Sequence, residues 1–274
     1  YHSPTRGGFK KKSLITLHGY KAFLAFSFCF LIFFISFLFP VLQMLYWTII
    51  FPKHLIDLNL ISLFSNTIIL VFLSSFVLIS FAFISNYGNR LSRSKFLEIL
   101  TTFSISGYAI PGIILALAFI TFISWFDNSI VSFFDIKNIK PIFIGSILGL
   151  VIVYFIRFYS LASNGIKSGY LKISYSIDES AYLLGYSKFK TFKNIHIPYL
   201  KNSILLIGIL ISIEIIKELP ITLIMRPFNF ETFATQAYIY ASQDLLEAAA
   251  APSLFLILIA SFFILITSRY ILKD

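Results

Sequence analysis

Ser176-Ile177-Asp178-Glu179-Ser180-Ala181-Tyr182-Leu183-Leu184-Gly185-Tyr186-Ser187-Lys188-Phe189-Lys190-Thr191-Phe192-Lys193-Asn194-Ile195-His196-Ile197-Pro198 is a polar island between two long apolar runs. Its first four residues have the S-x-x-E form of a capping box, so a helix is expected to begin at Ser176, with Asp178 and Glu179 at its positive end. Ile177, Ala181 and Leu184 recur at helical spacing, and Gly185 supplies a left-handed C-terminal cap. Ser187 can cap a second helix through Phe189, Phe192 and Ile195, expected to stop before Pro198. The product is a short helical elbow, basic around Lys188, Lys190 and Lys193. The interval that holds it, Ser160 to Asn202, runs to roughly forty residues, whereas packed helices are usually joined by about 2–8. A connection of that length points to a task of its own.

The rest of the chain sets the class. Of its 274 residues, 58% are hydrophobic and 12% charged, with mean hydropathy +0.88. Soluble domains average about 45–50% apolar and about 25% charged. Thirty-three Phe on this background mark lipid as the solvent and exclude an ordinary soluble domain. The single cysteine, Cys29, lies inside an apolar run, so neither an internal disulfide nor a cysteine metal site is available.

A helix needs roughly 20 apolar residues to cross a hydrocarbon core about 30 Å thick. Six segments qualify: Ala22 to Phe51, Leu63 to Ser85, Leu97 to Trp125, Ile142 to Tyr159, Ser203 to Leu219 and Ala251 to Ile271. Pro40 marks a kink in the first. In the third, Pro111 within Gly107-Tyr108-Ala109-Ile110-Pro111-Gly112 should break the backbone ladder. The fifth is the weakest, because Glu214, Lys217 and Glu218 crowd its second half. The division that results is a basic segment over 1–21, a first span with its external loop over 22–61, and a core of five spans over 62–274.

Lys and Arg then orient the bundle. With both termini on one side, that side holds Arg6, Lys10, Lys11, Lys12, Lys21, Arg90, Arg93, Lys95, Arg157, Lys167, Lys172, Lys188, Lys190, Lys193, Lys201, Arg269 and Lys273. The other holds Lys53, Lys137, Lys140 and Arg226, so the positive-inside rule places both termini, and the elbow, in the cytoplasm. Asp57, Asp127, Asp135, Glu231, Asp244 and Glu247 fall on the outside. The basic opening stretch lacks the apolar core of a secretory signal, and a start at Tyr1 leads to the expectation of a longer parent chain.

Glu179-Ser180-Ala181, three residues, Gly185, nine residues, then Ile195-His196-Ile197-Pro198 resembles the EAA loop, E-A-A-x3-G-x9-I-x-L-P, of binding-protein-dependent ABC importer permeases. The spacing agrees throughout; Ser180 stands for the second Ala and Ile197 for Leu. The resemblance implies an all-α, polytopic, six-span MetI-like permease fold in a bacterial inner membrane. It also implies that the elbow is a coupling helix docking into a cytoplasmic ATPase dimer, with Asp178, Glu179, Ser180, Ala181, Gly185, Ile195 and Pro198 at the contact. Implied partners are that ATPase, a periplasmic or extracellular substrate-binding protein, a second permease half, fused or homodimeric, and membrane lipid. The small residues Ser180 and Ala181 would allow close approach. The alternative is an amphipathic helix resting on anionic headgroups, which the flanking lysines also favour. Glu247-Ala248-Ala249 has the same three letters but lacks the glycine six residues on.

Lys217-Glu218-Leu219-Pro220-Ile221-Thr222 through Arg226-Pro227-Phe228-Asn229-Phe230-Glu231-Thr232 is similar to the K-E-L-P-x-T-L-x-x-R-P-F-x-F-x-T segment of the ferric-iron branch of these permeases. Tyr108-Ala109-Ile110-Pro111-Gly112 and Val153-Tyr154-Phe155-Ile156-Arg157-Phe158 resemble the same branch, which implies iron as cargo and the C-terminal half of a fused two-half permease. Thiamine, phosphonate, sulfate or molybdate are the rival cargoes, and an ion-coupled secondary transporter is the rival class. Glu214, Lys217 and Glu218, at i, i+3 and i+4, are expected on one helix face with an internal ion pair. They either line the path, with Pro220 as a gate hinge, or lock the fifth span to its neighbours. Arg226 contacts either an external protein or an acidic residue of the bundle. No glycine loop for ATP occurs, so the chain is read as a permease and not an enzyme, with no cofactor, no metal cage at its scattered histidines and no nucleic-acid partner.

Overall fold

Proline governs where the long apolar runs bend, break and restart. The computed structural model describes residues 16–56, 58–92, 94–134 and 143–271. Arg6, Lys10, Lys11, Lys12, Asp57, Arg93, Asp135, Lys137, Lys140 and Lys273, which enter the loop-charge argument, lie outside the described residues.

Helices α1 (Tyr20–Phe33) and α2 (Phe39–Ile50) form one rod through a π-helical turn at Phe34–Leu38. Pro40 has no N–H to donate and crowds the carbonyl four residues back, and the wider π turn just before it relieves both defects. After α3 (Pro52–Ile56) comes α4 (Leu60–Ser92), a rod of 33 residues. The expected third span is two helices: α5 (Lys95–Ile105) runs into a 3₁₀ turn at Ser106–Ala109, Ile110 is extended, and α6 (Gly112–Phe134) begins just after Pro111. The break at Pro111 is therefore as expected, but the crossing helix starts at Gly112 and not at Leu97.

Helix α7 (Ile147–Tyr170) is capped by Ser146, whose hydroxyl accepts from the Gly149 amide at 3.1 Å. The elbow follows as α8 (Tyr175–Leu183) and α9 (Lys188–Thr191). A second π turn, Phe192–His196, leads without interruption into α10 (Ile197–Ile216), so the helix does not stop before Pro198. As at Pro40, the π turn widens the helix where proline would clash. The chain closes with α11 (Pro220–Met225), α12 (Phe233–Ser242) and α13 (Leu246–Ile271).

Among the described residues, six helical rods are long and apolar enough to cross a membrane: Tyr20–Ile50, Leu60–Ser92, Gly112–Ser129, Ile147–Tyr170, Lys188–Ile216 and Leu246–Arg269. All regular structure among the described residues is helical. The expected all-α, six-span architecture is borne out.

The core is the triangle where α4, α7 and α10 pack on one another, filled by Leu70, Leu78, Tyr154, Phe158, Ile166 and Ile211. Helices α6 and α11 flank α7, α12 packs on α13, and α2 leans on α13. No residue of α1 is buried. Helix α7 outruns its expected end at Tyr159 because its last turns present small residues to α10. A Cβ at Gly165 would stand 2.5 Å from Ile207, and one at Gly169 2.8 Å from Leu200. Small and hydroxyl residues are what close helix contacts in lipid use, yet in the sequence they look like a polar loop. The connection of Ser160 to Asn202 thereby contracts to 171–187, and Arg157 lies in mid-helix instead of at a cytoplasmic end.

Candidate functional site

The cap of the elbow lies two residues before Ser176, the position that the capping box predicts. Ser174 is the N-cap, with no side-chain capping bond, and its hydroxyl meets that of Ser176 at 2.6 Å. What fixes the start is Arg90, at the end of α4. Its Nε donates to Asp178 Oδ2 at 2.7 Å, its Nη1 to the Ile173 carbonyl at 3.0 Å and its Nη2 to the Ser174 carbonyl at 3.0 Å. The guanidinium also lies 4.4 Å from the centre of the Tyr175 ring, a cation–π distance.

Asp178 turns its other oxygen to His196. Oδ1 and Nε2 stand 2.9 Å apart, out of line for a straight hydrogen bond. His196 is fully buried, ringed by Tyr87 at 5.2 Å and Tyr170 at 5.4 Å between ring centres. Tyr87 donates to the Lys188 carbonyl at 2.6 Å, closing the base of the elbow. One buried carboxylate thus joins the elbow to α4 and to the π turn of the fifth span.

Beyond that base the elbow is exposed. Gly185 has φ +79° and ends α8 as expected, with the Tyr186 amide donating back to Ala181 O at 3.0 Å. Ser187 caps α9, accepting from the Lys190 amide at 3.2 Å. Glu179, Ser180 and Pro198 are exposed and Ile195 is half-buried. Ala181, however, faces inward at 3% exposure, so the outer surface is not built on small residues. Its most prominent groups are Leu183 and Leu184, 88% and 79% exposed.

A second cluster joins the two breaks at Pro111 and Pro220. Glu218 lies past the end of α10, so it does not share a helix face with Glu214 and Lys217. Those two pair with each other at 2.7 Å on a side where Lys217 is mostly exposed. Glu218 instead points inward: Oε2 is 3.4 Å from Arg157 Nε, and Oε1 accepts from the Ile221 amide at 3.3 Å. Arg157 Nη1 donates to the Ile110 carbonyl at 2.6 Å, the last carbonyl before Pro111. Glu218 Oε1 comes close to Gly112, where a Cβ would fall 2.9 Å from it. Beside this knot, the Tyr154 hydroxyl bonds that of Thr222, and Thr222 donates to the Glu218 carbonyl at 2.6 Å.

Pro220 opens α11, and Arg226 ends it by pairing with Glu231 within the bundle. Glu231 also accepts from Thr235 at 2.8 Å, so Arg226 is a tie in the loop before α12. Among the described residues no group of three or more His, Cys, Asp or Glu could hold a metal ion.

Tyr154 and Arg157 fall in the stretch that resembles the ferric-iron branch and His196 in the EAA-like pattern, but neither these nor Arg90 was expected as a site residue. Arg157 had a signal: apolar residues continue at helical spacing through Leu161, Ala162 and Ile166, so the span does not end beside it.

No family model matches the chain. The Fe(3+)-transport system permease protein FbpB 2 of Haemophilus influenzae is 22% identical over 276 residues, an alignment that takes in 100% of this chain and 52% of that protein, so the chain spans about half the length of that relative. A chain from the structure of a bacterial ABC transporter involved in the import of the acidic polysaccharide alginate superposes with a TM-score of 0.69 at 17% identity, over 91% of this chain and 95% of that one. In the bacterial alginate ABC transporter in complex with alginate pentasaccharide-bound periplasmic protein, the TM-score is 0.71 at 16% identity, over 91% and 93% of the two chains. These likenesses bear out the expected permease fold.

Proposed function

We propose that this chain, which has the fold of the membrane subunits of ABC importers, forms half of a translocation path and converts ATP hydrolysis on a separate subunit into movement of its spans. The observation that carries this reading is the elbow. The E-x-A-x3-G register of Glu179, Ala181 and Gly185 coincides with a projecting helical turn rooted in two spans through the buried Asp178, which meets Arg90 and His196. Leu183 and Leu184 stand out from it as a firm apolar knob, a shape suited to a cleft on a neighbouring protein. Rigid attachment at one end and an apolar contact at the other are what a lever requires.

Ferric iron is the cargo this reading favours, supported by the full-length similarity to an Fe(3+) permease and by the K-E-L-P and R-P-F residues from Lys217 to Thr232. In this account a capture protein delivers cargo from outside, both termini lie in the cytoplasm, and the elbow meets an ATPase dimer. Glu218, Pro220 and their neighbours at the two breaks form the gate; Glu214, Lys217 and Arg226 lie at its margin.

Co-expression with the ATPase subunit of its transporter tests the assignment. Leu183→Asp/Leu184→Asp should abolish co-purification of the ATPase while membrane insertion stays intact. Gly185→Val should weaken it, because a β-branched residue at φ +79° costs about 1–2 kcal/mol or more and re-aims the knob. Retention of the ATPase by both variants at the wild-type level would contradict the coupling role.

A further inference from the structure

Arg90 and Arg157, whose side chains are 6% and 20% exposed, are held in different ways. Arg90 spends all three of its nitrogens on hydrogen bonds to the elbow, which makes it a rivet. Arg157 makes a hydrogen bond through Nη1 to the Ile110 carbonyl, while its Nε, closest to Glu218 at 3.4 Å, has no aligned acceptor. The Arg157–Glu218 contact is therefore an attraction between charges with little directional bonding, and it can part without dismantling a hydrogen-bonded fork.

Its position gives that looseness a meaning. Arg157 lies near the middle of α7, about 15 Å from its start and about 20 Å from its end, where a charge is costly unless paired or hydrated. The pair joins two breaks that adjoin crossing helices, the Ile110–Pro111 break just before α6 and the Lys217–Leu219 break just after α10. Glu218 belongs to one break and packs on Gly112 of the other, and Arg157 ties both to the continuous helix α7. Hydrophobic residues of similar volume would fill this space at no greater cost. An ion pair is suited instead to a junction with two states, closed and dry, or open and water-filled, in which each charge is solvated separately.

We infer that Arg157 is a positioning residue of the transport path: it latches Glu218 across the two helix breaks in the resting state and releases it when the path opens. This rests on the reading of the chain as an ABC permease, and the experiment separates the two. The complete transporter, with its partner half, ATPase and capture protein, is placed in proteoliposomes. ATPase activity without the capture protein and ATP-driven uptake with it are measured for the wild type, Arg157→Gln, Glu218→Gln and the double Gln variant.

A latch predicts that ATPase activity without the capture protein rises several-fold in the variants, with uptake per ATP reduced, and that the double variant resembles either single one. A purely structural pair would lower the amount of folded complex and leave the activity per folded complex unchanged, which would overturn the inference. Where an unpaired charge prevents a single variant from assembling, the double variant strands no charge and gives the answer. If the double variant also fails to assemble, the inference is overturned as well, since a latch must part in each cycle without loss of the fold. Absence of ATP-driven uptake by the wild-type complex would instead refute the permease reading.

Discussion

Asp178 and Arg90 meet at 2.7 Å, and through that contact the elbow is fixed to the end of the 33-residue helix α4. Both side chains are largely buried, at 10% and 6% exposure, so neither can exchange its partner for bulk water. Removing one member of such a pair typically costs about 3–5 kcal/mol.

Arg90→Ala should loosen the elbow more than Asp178→Asn, because it also frees the carbonyls of Ile173 and Ser174. Limited proteolysis at Lys172 and Lys188 in detergent micelles should be fastest for Arg90→Ala, intermediate for Asp178→Asn and slowest for the wild type. Equal cleavage rates would show that the elbow is held by something else.

Gly107→Ala should be strongly destabilising, and Gly88→Ala should not. A Cβ at Gly107 falls 2.3 Å from the backbone carbonyl oxygen of Ile156, which cannot swing aside as a side-chain tip can, whereas one at Gly88 meets nothing within 4 Å. Overpacking of this kind costs about 1–3 kcal/mol, and more when backbone must move. Helical Gly88 gains up to about 1 kcal/mol from alanine. Thermal unfolding followed by tryptophan fluorescence distinguishes them; a midpoint for Gly107→Ala equal to wild type would contradict the close packing of the first break on α7.

Glu214→Gln should leave expression and transport essentially unchanged. The Lys217 side chain that it would strand is 56% exposed, and exposed pairs of this kind contribute about 0–1 kcal/mol. A large loss of uptake in this variant would move the functional cluster from Glu218 to the outer face of α10.

The sequence and the structure agree where a local rule acts alone. Apolar runs longer than a bilayer, the ladder break at Pro111, the positive φ of Gly185 and the Ser187 cap all depend on residues close together in the chain. They diverge where a distant partner decides. Ser176 loses its capping role because Arg90 holds the cap at Ser174, two residues earlier. The second elbow helix continues through Pro198 because the π turn around His196 is packed between Tyr87 and Tyr170. Arg157 looks like the end of a span until Glu218 is found beside it, and the serines and glycines after it look like loop until α10 is seen lying on them. Glu218 parts from Glu214 because the helix that would have aligned them stops at Ile216.

The central claim is that the elbow gives this chain its only source of directed movement. Liposomes carrying the complete transporter, with capture protein and radiolabelled ferric iron outside, test it most directly when ATP is present or absent inside and the ATPase is included or omitted. The account predicts accumulation only with ATP and ATPase together, lost again on Leu183→Asp/Leu184→Asp. Accumulation of iron by liposomes that hold the membrane chain without its ATPase would contradict it.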